Sequence, residues 1–90
     1  KKVARQKAAQ TRERMAPITK KIRQLETLMT QLQTDLAQIE AQLADENIYK
    51  DEQKMELNDH LSAQIEVKRR LSTYEEQWLE CQEALELENN

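Results

Sequence analysis

Ninety residues with no glycine, one proline, no phenylalanine and 34% charged side chains do not make a compact domain with a thick core. Without glycine there is no phosphate-cradling loop, and one cysteine with one histidine offers neither an intramolecular disulfide nor a zinc site. The net charge of −3 conceals a division: residues 1–23 carry nine basic residues against Glu13, a balance of +8, whereas residues 24–90 carry five against sixteen acids, a balance of −11.

Residues 1–14, KKVARQKAAQTRER, are rich in alanine and basic side chains but lack a continuous apolar stripe. They are expected to be a basic lead-in helix or linker from an upstream domain, the alternative being a solvated, partly disordered arm. Lys1 stands where an initiator methionine belongs, so the chain reads as a piece of something longer.

From Met15 onward the pattern becomes regular. Met15, Ile18, Ile22, Leu25, Met29, Leu32, Leu36, Ile39 and Leu43 are spaced 3, 4, 3, 4 without a break, which is a heptad seam with Met15 at a and Ile18 at d. A seam two residues wide is not covered by its own helix and needs a partner. Pro17 falls inside it. A proline is tolerated in the first turn and disruptive in the interior, so either the helix starts near Ala16 or a longer helix is kinked there.

The first helix is placed at about 16–44, roughly 40 Å long. The heptad fails at Glu46, and residues 45–51 read as a turn with Asp51 as N-cap of the second helix. Ile48 and Tyr49 are expected to fold back and plug the end, an exposed contact at the tip being the alternative.

The second helix, about 52–88, repeats the heptad less well. Leu57, Val67, Leu71, Tyr74, Trp78, Cys81 and Leu85 keep the spacing, but His60 and Gln64 occupy seam positions and Leu61 and Ile65 lie one residue off it. A local drift of the stripe, as at a stutter, is therefore expected in the tip half. Folding about residue 47 or 50 sets position i against one near 100 − i, within about one turn. Basic Arg12 to Arg23 then runs beside the segment from Glu75 to Glu88, and Trp78 sits against Ile18 to Leu25. A parallel pair would set like charge on like charge. The fold class expected is thus all-α, an antiparallel two-helix coiled-coil hairpin over residues 15–88, monomeric, with Trp78→Ala costing roughly 3 to 5 kcal/mol if the ring is buried.

Two helices provide no concave site of convergent polar groups, so no catalytic, cofactor-binding or metal-binding residue is assigned. His60 reads as a polar layer and Cys81 as an inert thiol. Lys68, Arg69 and Arg70 are three consecutive cations in an acidic helix. With Lys20 and Arg23 they are candidates for contact with a phosphate backbone, the alternative being a solvated charge run. There is no secretory pattern and no long apolar run, so a cytoplasmic setting without membrane contact is expected.

The basic lead-in, Pro17 ahead of a leucine-rich helix, the turn Leu43-Ala44-Asp45-x-x-Ile48-Tyr49 and the ending Glu75-x-x-Trp78-Leu79-Glu80-x-x-Glu83-Ala84-Leu85-Glu86 together resemble the C-terminal coiled-coil domain of ABC-F ATP-binding cassette proteins of the YheS and Uup type. The likeness spans about Arg12 to Glu86. It implies a parent with two upstream cassettes that use ATP and magnesium and act on the ribosome in translation, this piece being a non-catalytic appendage. Uup-like domains are also associated with nucleic-acid binding, so the partners implied are ribosomal RNA or protein, or nucleic acid. None of the family's ATPase motifs lies in the chain. A purely structural or oligomerisation coiled coil is the rival expectation.

Overall fold

The computed structural model describes residues 2–89 as two long helices, α1 (Lys2–Ala44) and α2 (Lys54–Asn89), joined by two short 3-10 turns, Glu46–Tyr49 and Asp51–Gln53. No strand occurs among the described residues, and the particle is a rod of 74 × 15 × 14 Å. Lys1, the first residue of the expected lead-in, lies outside them.

Helix α1 begins at Lys2, not near residue 16, and runs unbroken through Pro17. The alanine, arginine, lysine and glutamine residues before the proline are good helix formers. Pro17 is exposed, so the Glu13 carbonyl that loses its helical partner opens toward water. Met15 and Ile18, half-buried on either side, hold the helix in phase across the break. Residues 3–10 are exposed, and Thr11 is the first residue to become half-buried, so α1 begins with an uncovered stretch.

All nine positions of the α1 seam are buried or half-buried, most completely Leu25 at 2% exposure and Ile22 at 7%. Their cover comes from α2, whose seam keeps strict heptad spacing from Leu57 to Leu85 with Leu71 buried. The expected stutter is absent. His60 and Gln64 stay half-buried on the seam, and Leu61 and Ile65 point outward, Ile65 at 69% exposure. The physical reason is rotational: Leu57 on one side and Val67 and Leu71 on the other fix the helix phase, and the unbroken seam of α1 offers no place for a drift.

The connector is ordered by its own polar groups. Asp45 caps the first 3-10 turn, its carboxylate accepting a hydrogen bond from the Asn47 amide at 2.9 Å. Ile48, 7% exposed, closes the end of the rod as expected. Tyr49 does not join it: the ring is exposed while its hydroxyl donates to the Leu43 carbonyl at 2.6 Å, satisfying one of the orphan acceptors at the end of α1. Asp51 is not the N-cap of α2, because the Asp51–Gln53 turn intervenes and α2 starts at Lys54.

At the opposite end Trp78 is half-buried and lines a groove with Glu26 and Met29 of α1. Its indole N–H is buried without an acceptor. Arg14 forms an ion pair with Glu88 at 3.4 Å, where simple fold-back sets it against Glu86. It is the one ion pair between the helices among the described residues. The charge division of the sequence therefore acts mainly as a field along the rod, worth little per contact.

Candidate functional site

The candidate cations fall in two places. Lys20 and Arg23 project from α1 near its midpoint, where with Arg12 they rim a shallow groove of about 410 Å³ floored by Met15, Ala16 and Thr19. The spacing of Arg12, Lys20 and Arg23 puts them on one flank of the helix, while Arg14 turns to the other and meets Glu88. Three guanidinium or ammonium groups around an apolar floor can hold an anion by charge while alkyl stems pack on a flat partner. Sequence reasoning included Lys20 and Arg23 and missed Arg12. The signal was present, since Arg12, Ala16, Thr19 and Arg23 follow one another at helical intervals.

Lys68, Arg69 and Arg70 are all exposed on α2. They lie level with about Leu32 to Thr34 of α1, roughly 20 Å along the rod from Lys20 and Arg23, so the two groups do not converge. Arg69 and Arg70 are not free. The Arg69 guanidinium donates to both carboxylate oxygens of Glu66, at 2.6 and 3.0 Å, and Arg70 donates to one of them at 3.0 Å. These hydrogen bonds, Arg69's first, hold the Glu66 carboxyl far below its ordinary value, at about 2, and push the Arg69 pKa up. Sequence reasoning overlooked Glu66, although its positions three and four residues before the arginines are those of helical ion pairs. A ligand reaching this patch meets the full charge of Lys68 and two arginines already engaged by one carboxylate.

Ile48 and Tyr49, the candidate tip contacts, have separate roles. Ile48 is interior, and only Tyr49 presents surface, at 60% exposure. Between tip and middle, His60 and Val67 of α2 line an open groove of about 520 Å³ with Asp35, Gln38, Ile39 and Gln42 of α1. It marks where the polar residues of the seam leave the helices incompletely packed. Cys81 is half-buried on the seam. No helix among the described residues is long and apolar enough to cross a membrane. Against known proteins, the chain matches no family model, no curated protein and no solved structure.

Proposed function

We propose that this chain is an antiparallel coiled-coil hairpin with a basic lead-in, serving as the non-catalytic C-terminal appendage of an ABC-F ATPase and helping to position it on the ribosome or on nucleic acid in translation. The Arg14 to Glu88 ion pair supports the antiparallel arrangement, since it joins an early residue of α1 to a late one of α2. The family reading rests on the likeness of the Asp45 to Tyr49 turn and the Trp78 to Glu86 ending. On that reading the cassettes, their ATP and magnesium, and the cytoplasmic setting belong to the parent.

The observation that carries the contact role is the cationic groove of Arg12, Lys20 and Arg23 beside an exposed basic extension. Phosphate contacts of this kind position a protein without reading sequence. Pelleting of the chain with purified ribosomes tests the role. Weak association that falls steeply with salt is expected, and it should be lost on charge reversal at Lys20, Arg23, Arg69 and Arg70. Equal pelleting of the wild-type and reversed chains would reject it.

A further inference from the structure

We infer that the outer face of α2 is a self-complementary surface through which two copies of this chain pair antiparallel, about a twofold axis level with Arg70. This goes beyond the proposed function, which treats the hairpin as a single arm, and it does not rest on that reading. It also departs from the monomer expected of a hairpin whose main seam is already closed.

Besides the seam that α1 covers, α2 carries a second stripe with the same alternation of three and four residues. Leu61, Ile65 and Leu79 lie on it, exposed at 41%, 69% and 54%. Its ends are Lys54 and Glu86, both exposed, and between them only Gln82 is even half-buried. Three large apolar side chains at heptad spacing on an uncovered face are a seam without a partner.

The stripe names its own occupant when it is turned end for end. In that arrangement Leu61 meets Leu79 of the second copy, and Lys54 meets Glu86. Asn58 meets Gln82, amide to amide. Lys68 meets Ser72, with Glu75 one turn further along the same stripe, and the methylene stem of Glu75 covers Ile65. The layers recur without a shift of register, because the same pairs repeat on the other side of the axis. A parallel arrangement would instead set Lys68 on Lys68 and Glu75 on Glu75. Two leucine pairs flanked by polar layers make a small interface, so the dimer belongs to the weak class, with a dissociation constant on the order of 100 µM.

Sedimentation equilibrium of the chain over a broad concentration range tests the inference. The expected result is a concentration-dependent dimer, weakened about tenfold or more by either Leu61→Glu or Leu79→Glu. Lys54→Glu alone should weaken it, and adding Glu86→Lys should restore it, which separates loss of pairing from loss of fold. In a Cys81→Ala background, the chain with both Leu61→Cys and Leu79→Cys should form intermolecular disulfides, and the chain with Leu61→Cys alone should not. A monomer at all concentrations, a dimer indifferent to both glutamates, or crosslinking through Leu61→Cys alone would overturn it.

Discussion

Arg14 of α1 and Glu88 of α2 approach to 3.4 Å, joining the two helices by one ion pair where the end of α2 meets α1. The arginine side chain is 62% exposed and the glutamate 32%, so water screens much of the attraction. A double-mutant cycle with Arg14→Ala and Glu88→Ala should give a coupling of about 0 to 1 kcal/mol, while exchanging the two residues should leave thermal stability nearly unchanged. A coupling well above that range would mean that the end is far drier than its exposure indicates.

Pro17 gives a sharper result. It sits inside α1 and not at its first turn, so it costs the helix a hydrogen bond. Pro17→Ala should stabilise the chain by about 2 to 3 kcal/mol and raise its helical content, read by circular dichroism during denaturation. A helix beginning at residue 16 would respond weakly, because proline is tolerated at that position.

His60 and Gln64 keep polar side chains on an otherwise apolar seam. Replacing either by leucine should stabilise the hairpin by about 1 kcal/mol, whereas Leu61→Ser and Ile65→Ser should change the stability of the single hairpin by less than about 0.5 kcal/mol. Thermal melts of dilute samples decide the matter. The reverse ranking would show that the α2 tip half is rotated by one residue.

Glu66 contributes to the acid side of the pH dependence. Its folded pKa of about 2 lies below the ordinary 4.5, so its pairing with Arg69 and Arg70 favours the folded chain above the ordinary value, and that contribution is lost as pH falls toward about 2. Carboxyl NMR should find its midpoint well below 4.5. Arg69→Ala with Arg70→Ala should return it toward 4.5, and an unchanged midpoint in that variant would mean that other groups hold the carboxylate.

The long-range order of the fold was legible because heptad spacing survives any local ambiguity. Met15 to Leu43 needed a partner, and the acidic, tryptophan-bearing half of the chain was the complementary one. Ile48 was legible for a different reason, as an apolar residue in a polar turn. What was not legible turned on single residues. Pro17 left open whether a helix starts there or a longer one runs through it, because local propensity says nothing of how well Met15 and Ile18 hold a helix across a missing hydrogen bond. Leu61 and Ile65 argued for a drift because hydrophobicity alone does not weigh the rotation imposed by Leu57 and Leu71. The candidate cations were visible as charges, but their partners were not: Glu66 engages Arg69 and Arg70, and Arg12 joins Lys20 and Arg23, through spacing that net charge conceals.

The proposed hairpin requires that α2 fold back along α1. The most direct test is the distance between spin labels at Arg12 and Glu86, both exposed, in Cys81→Ala chains diluted with unlabelled protein. Antiparallel helices packed side by side predict a narrow distribution near roughly 20 Å. An open or parallel arrangement would carry the labels beyond roughly 60 Å, since the residues between them span far more than that as helix.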